Sequence, residues 1–530
     1  MTGRVDAKTL KGWLSDGKEI ALLDVREFGR YGEAHLFFAV SLPYSRFELD
    51  LPALVPNPRT RLVLCDANDG SAARAAARAA SLGYSNVHVL ADGIAGWKNA
   101  GYTIYAGVNV PSKAFGELVE LERHTPRITA DELQALRQSG EDIVIVDGRT
   151  VAEFQKMNIP GGICCPNGEL ALRIGKLAPN PSTKIVVNCA GRTRSIIGAQ
   201  TLIDFGVPNP IVALENGTQG WFLAGLKLEN GANRRYAEAA AHDLSALKGR
   251  ARAIAEARGV PFVSAEQVNR WLAEAERTTY LLDVRTPEEF AKNGPAGFVH
   301  APGGQLVQTT DHWIGTRGAR IVLADDEQVR APMTAQWLRQ LGHEACVLEG
   351  GVAAAARVKA ARAPASQPSP ELAPITAADL GQRLRDRSAQ IIDLRPSMSY
   401  RKEHIDGAVW SIRPRVATVA DARKAVVLVA DDPAIAALAA LDLAEAGVRD
   451  VRALSGGHAA AKAAGLEVAS TPGDPADADC IDFLFFTAGR HEGDEAAARQ
   501  YLAWEIGLVG QLDKAERNSF RIAEAPPTAR

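Results

Sequence analysis

Four times along the chain a short apolar run ends on an aspartate two residues before an arginine. The copies are Ala21-Leu-Leu-Asp-Val-Arg26, Ile143-Val-Ile-Val-Asp-Gly-Arg149, Tyr280-Leu-Leu-Asp-Val-Arg285 and Ile391-Ile-Asp-Leu-Arg395. Runs this short and continuously apolar predict strands covered on both faces. Each leads into a short polar helix signal, such as Thr150-Val-Ala-Glu-Phe154 or Thr286-Pro-Glu-Glu-Phe290, and then a loop of small residues such as Ile159-Pro-Gly-Gly162. A second apolar strand follows in every copy: Arg61-Leu-Val-Leu-Cys65, Lys184-Ile-Val-Val-Asn-Cys189, Arg320-Ile-Val-Leu-Ala324 and Ala425-Val-Val-Leu-Val-Ala430. After it comes an Ala/Leu-rich helix stopped by Gly83, Gly206, Gly342 or Gly447. A third short strand runs into Asp92-Gly-Ile-Ala-Gly-Trp97, Glu215-Asn-Gly-Thr-Gln-Gly-Trp221, Glu349-Gly-Gly351 or Ser455-Gly-Gly457.

The repeat is about 100 residues long, enough for each copy to hold a core of its own. Strands alternating with helices predict an α/β fold of four tandem modules, each a mostly parallel sheet with helices on both faces. The modules are expected at 1–110, 122–235, 263–362 and 373–470, with an extension at 471–530. Connecting segments are expected around 108–124, in a charged helical stretch around 236–262, and in an Ala/Pro/Ser segment around 362–373. In the extension, Phe483-Leu-Phe-Phe486 and the helical pattern over 495–512 predict packing on the body, while the end around Pro526-Pro527 is expected to fray.

Composition narrows the picture. The chain has 530 residues, 46% hydrophobic and 23% charged, with a net charge of -3. That balance offers no basic field for nucleic acid or anionic membrane, so any anion site must be local. No apolar run is long enough for a membrane span, and the N-terminus has no hydrophobic targeting segment. Six scattered cysteines argue for free thiols in a reducing cytoplasmic setting. With no Cys-x-x-Cys and no histidine cluster, no metal is expected.

Candidate chemistry concentrates at Asn188-Cys189-Ala190-Gly191-Arg192-Thr193-Arg194-Ser195. A strand ends there and a helix is expected from Ser195. Sites in open α/β sheets lie at the carboxyl ends of strands. Backbone N–H groups of such a loop, the helix N-terminus and the Arg192 and Arg194 charges would form a cradle. It favours the Cys189 thiolate, the attacking form, and binds a small oxyanion beside it.

These features resemble the rhodanese family: the Asp-x-Arg strand, the Ile-Pro-Gly-Gly turn, the Cys-Ala-Gly-Arg-Thr-Arg-Ser loop and the Gly-rich ending. The resemblance covers nearly the whole chain as four tandem rhodanese-like modules, an architecture similar to four-module bacterial thiosulfate sulfurtransferases. It implies that Cys189 takes the outer sulfur of thiosulfate as a persulfide and passes it to cyanide or a thiol. It also implies that the loop N–H groups of Ala190 and Gly191 stabilise the persulfide and that Arg192 and Arg194 hold the sulfite part. Thr193 and Ser195 would add hydroxyl hydrogen bonds, and Arg149 would face the substrate. No organic cofactor is implied. The expected partners are a small-molecule sulfur donor and acceptor, a protein sulfur acceptor, or a second copy of the chain. The Cys189-x4-Arg194 spacing is shorter than the Cys-x5-Arg loop of related phosphatases and arsenate reductases, favouring sulfur over phosphate. Two alternatives stay open: a low-molecular-weight persulfide or 3-mercaptopyruvate as donor, and a non-enzymatic scaffold or sensor of sulfur species.

The other copies depart from this pattern. Cys65 sits in Cys65-Asp-Ala-Asn-Asp-Gly-Ser71, a loop with two carboxylates, no arginine and one extra residue, so a vestigial or substrate-shifted site is expected. Ala324 and Ala430 replace the cysteine in modules three and four, which are expected to be inactive. Cys164-Cys165 reads either as a sulfur relay for Cys189 or as a small buried pair beside a turn. The recurring aspartates, Asp24, Asp147, Asp283 and Asp393, are expected to be structural, since they recur even in the copies with alanine at the Cys189 position.

Overall fold

The computed structural model describes residues 2–237, 243–359 and 371–524. It contains four five-stranded sheets of one topology, each with the fourth strand of its module in the middle. In module two the order runs Arg127–Ile128, Ile211–Leu214, Lys184–Asn188, Ile143–Asp147, Ile163–Cys164, all parallel. Helices cover both faces, which is why the central strand carries Ile185, Val186 and Val187 fully buried on both sides. Trp97 and Trp221 anchor the ends of modules one and two, donating to the carbonyls of Thr103 and Lys227.

The recurring aspartates close the strand ends. Asp24, Asp147, Asp283 and Asp393 each accept from the main-chain N–H and the guanidinium of the arginine two residues on. His300 and His404, which stand beside the same loop, bond to the carbonyls of Arg285 and Tyr400.

The modules pack in pairs through equivalent turns. Gly168 of module two and Gly304 of module three approach so closely that a Cβ on either would lie 2.9 Å from the other's main-chain nitrogen. Modules one and four meet where the buried Arg413 pairs with Glu48 and Asp442 and stacks 4.4 Å from the Tyr44 ring. A buried charge of this kind needs its partners, because leaving one unpaired is costly.

Two connecting segments differ from a simple linker. The stretch expected to join modules one and two is the helix Val110–Arg123, with Phe115, Leu118 and Val119 buried. The stretch before module three contains the helix Leu244–Ala257. The Ala/Pro/Ser segment falls largely outside the described residues, as does the chain end at Pro526-Pro527. The extension packs on the body: the helix Glu495–Gly507 buries Leu502 and Glu505, and Trp504 donates to the carbonyl of Ala106. Among the described residues no helix is long and apolar enough to cross a membrane.

Candidate active site

Cys189 follows the central strand of module two and is 2% exposed. The chain turns through Ala190, Gly191 and Arg192 and enters the helix Thr193–Asp204, which begins two residues before the sequence pattern suggests. The neighbouring turn at Gly217 directs the loop. Gly217 has φ +55 and lies against the Cys189 carbonyl, where a side chain would collide. Thr218 N–H donates to the Cys189 carbonyl at 2.8 Å and Gln219 N–H to that of Ala190 at 3.1 Å. With those carbonyls engaged, the loop's N–H groups are turned the other way. Among the described residues nothing accepts a hydrogen bond from the main-chain N–H of Ala190 through Ser195. Such a row of unpaired donors at a helix start is an anion cradle.

The equivalent cradles elsewhere are filled from within. In module one, Asp66 accepts from the N–H groups of Asn68 and Ala72 at 2.8 and 3.0 Å. In module three, Asp325 accepts from Val329 and Arg330 at 3.1 and 3.0 Å. In module four, Asp432 caps the following helix at Ala434. The position after the strand is Ala190 in module two, which carries no carboxylate to compete with a ligand. The extra residue in the loops of modules one and three is accommodated by left-handed backbone at Asn68 (φ 64) and Gln328 (φ 56).

Arg194 stands at the mouth of the cradle. Its guanidinium binds both oxygens of Glu153 at 2.8 and 2.7 Å and the Gln305 side chain of module three at 3.1 Å. Glu153 also forms the capping box of its own helix with Thr150. Burial disfavours its charged form, yet Arg194 and Thr150 hold its carboxyl down to about 2. Arg330 occupies the matching place in module three, paired with Glu289, with Glu169 where Arg194 has Gln305, and with Glu327. Counting Asp325, 3.8 Å from its Nε, Arg330 has four carboxylate partners where Arg194 has one.

Several expected site residues lie elsewhere. Arg192 points away from the cradle to Glu117 at 2.7 and 2.9 Å, and to Glu120 and Asn216, so it does not line the cavity at Cys189. Arg149 is 2% exposed and spends its guanidinium on Asp147 and the Met157 carbonyl. It closes a strand end, as its counterparts do in the modules with alanine at the Cys189 position. Thr193 donates to Glu505 at 2.6 Å, and the buried Ser195 hydroxyl has no partner among the described residues. Cys164 packs with Phe154 and Ala232 and Cys165 lies in the module core; neither lines the cavity. Burial, with Asp147 nearby, pushes the Cys164 thiol up to about 12, and burial also raises Cys165. Thiols held in that state are poor nucleophiles. Cys65 is fully buried and likewise raised by burial and Asp24.

Cys189 opens into a cavity of about 230 Å³ whose walls come from distant parts of the chain. Gln305, Gln308 and Thr309 belong to module three, Lys113 to the connecting helix and Asn109 to the position before it, and Arg490, His491, Tyr501 and Trp504 to the extension. Behind the loop, the buried Glu505 takes hydrogen bonds from Lys113 and Thr193. Burial opposes its charge, but these partners leave its carboxyl below the ordinary value. Gly191 fits beneath this cover, since a Cβ there would stand 3.0 Å from Glu505 Oε2 and 3.1 Å from Tyr501 Cε1. Sequence spacing gives no hint of these wall residues, which lie up to some 300 positions from the cysteine.

A family model described as rhodanese-like domain matches residues 6–100, 129–224, 264–357 and 376–464. The fold is similar to the crystal structure of thiosulfate sulfurtransferase from Pseudomonas aeruginosa. The TM-score is 0.90 at 41% sequence identity, over 98% of this chain and 100% of that one. A curated relative, the HTH-type transcriptional regulator Rv0324 of Mycobacterium tuberculosis, is 34% identical over 105 residues. That match takes in 20% of this chain and 45% of the regulator, so the chain spans less than half the length of that relative.

Proposed function

This chain belongs to the rhodanese-like family, and from that premise we propose that it is a sulfurtransferase taking the outer sulfur of thiosulfate onto Cys189. The thiolate attacks that sulfur, the S–S bond of thiosulfate breaks, and sulfite leaves with the bonding pair. The persulfide then yields its outer sulfur to cyanide, forming thiocyanate, or to a thiol. The unpaired N–H groups of Ala190 to Ser195 hold the negative charge of the donor and of the persulfide, and they need no reorganisation to do so. Arg194, with a single carboxylate partner, faces the departing sulfite. Arg192, Arg149 and Thr193 act through position only: they tie the loop to the connecting helix, the strand end and the extension.

The observation that carries this reading is the coincidence, in one module of four, of a strand-end thiol with a cradle no internal carboxylate occupies. Intact-mass measurement after brief thiosulfate exposure tests it. One added sulfur is expected, removed by cyanide and absent in Cys189→Ser. An adduct that persists in Cys189→Ser but disappears in Cys65→Ser would move the site to module one. An adduct formed only from a low-molecular-weight persulfide would replace thiosulfate as donor.

A further inference from the structure

Each arginine of the recurring Asp-x-Arg motif uses the same side of its guanidinium. Arg26, Arg149, Arg285 and Arg395 give Nε and Nη2 to the two oxygens of one carboxylate. This fork matches a carboxylate geometrically, and such bidentate pairs are among the stronger polar contacts in proteins.

In Arg490, on the extension, the same Nε–Nη2 side has no partner among the described residues. Its Nη1 donates to the carbonyl and hydroxyl of Thr487 at 3.0 and 3.4 Å. Its Cζ lies over the Tyr501 ring, 4.7 Å from the centroid. Its Nε is buried without a hydrogen-bond partner. Among the described residues Nη2 has no partner and no carboxylate pairs with the side chain. Arg490 lines the cavity that holds Cys189. The other two cations there are matched, Lys113 by Glu505 and Arg194 by Glu153.

We propose that the Nε–Nη2 fork of Arg490 is the binding site for the carboxylate of the thiol that accepts sulfur from Cys189. The thiosulfate donor does not need it, because the N–H cradle and Arg194 serve an anion directly beside the sulfur. Arg490 is set back from the cradle: the Tyr501 ring touches the loop at Gly191 with one edge and carries Arg490 on its face. Because Arg490 and Cys189 line one cavity, the ligand class that joins a carboxylate to a thiol through a short linker is a mercapto-carboxylate. The acceptor thiolate attacks the outer persulfide sulfur, the Cys189 S–S bond breaks, Cys189 leaves as thiolate, and the acceptor departs as a persulfide. The word acceptor rests on the sulfur-transfer reading; the carboxylate site does not.

Calorimetric binding of 3-(methylthio)propionate, which cannot take up sulfur, and of its amide tests the site without turnover. Arg490→Gln is expected to weaken the carboxylate by about tenfold or more and leave the amide unchanged. Arg490→Lys, with charge but no fork, should fall between. Thiosulfate affinity should be the same in all three proteins, which also reports that the cavity is intact. Equal carboxylate affinity in wild type and Arg490→Gln, or a loss of thiosulfate affinity instead, overturns the proposal. With thiosulfate as donor, the KM for 3-mercaptopropionate should rise in Arg490→Gln while that for 2-mercaptoethanol stays put. If the wild type transfers no sulfur at all, the functional reading fails and the calorimetry still decides the Arg490 site.

Discussion

Replacing Ala190 by aspartate should convert the loop of module two into the self-filled state of modules one and three. In those modules the carboxylate at this place takes two main-chain N–H groups at 2.8–3.1 Å. A hydrogen bond to a charged group contributes about 1.5–3 kcal/mol, so losing two to an internal competitor costs a bound anion about 3–6 kcal/mol. At 1.4 kcal/mol per tenfold, kcat/KM for thiosulfate should fall by about 10²–10⁴. Thiocyanate formation from thiosulfate and cyanide measures this, alongside thermal melting and a thiol count under denaturing conditions. The melting point should hardly move, since the same residue is accommodated in two sister loops, and the cysteine remains. Ala190→Asn, of equal size but uncharged, should lose much less. A folded Ala190→Asp protein within threefold of wild type would mean that the N–H cradle is not what holds the donor.

Gln305→Glu in module three should give Arg194 a second carboxylate, as Arg330 has in Glu169, and raise the thiosulfate KM by about tenfold, roughly one charge-assisted hydrogen bond; an unchanged KM would detach Arg194 from the donor. Cys164→Ala and Cys165→Ala should each leave turnover and persulfide loading at Cys189 unchanged in the mass assay, whereas accumulation of loaded Cys189 in either variant would restore a relay. Burial, with Arg490 nearby for His491 and Arg317 for His343, depresses both histidines from 6.5 to about 4. The unfolded chain then binds more protons than the folded one between those values, so stability is retained above pH 6.5 and falls as pH drops toward 4. Urea denaturation across that range should show the slope, and a His343→Gln, His491→Gln variant should flatten it.

The order of amino acids alone makes the architecture of each module legible, and with it the strand-end position of the candidate thiol Cys189. Apolar runs of four or five residues covered on both sides can form only buried parallel strands at this spacing, and the Asp-x-Arg pairs closing them are local contacts two residues apart. The thiol of Cys189 at a strand end, and the lack of one at Ala324 and Ala430, are equally local. What the loop does with its arginines was decided elsewhere. Arg192 and Arg194 are two residues apart on one loop and equal in charge, yet Glu117 and Glu120 of the connecting helix draw one away while Glu153 holds the other at the cradle. Arg149 matched an expected contact but is consumed by its own aspartate. The cover of the site, from Lys113, Gln305, Arg490, Tyr501 and Glu505, is a product of module pairing and of the extension folding back. Such long-range packing depends on which surfaces are left apolar once every module has formed, a property of the assembled chain with no periodicity to betray it.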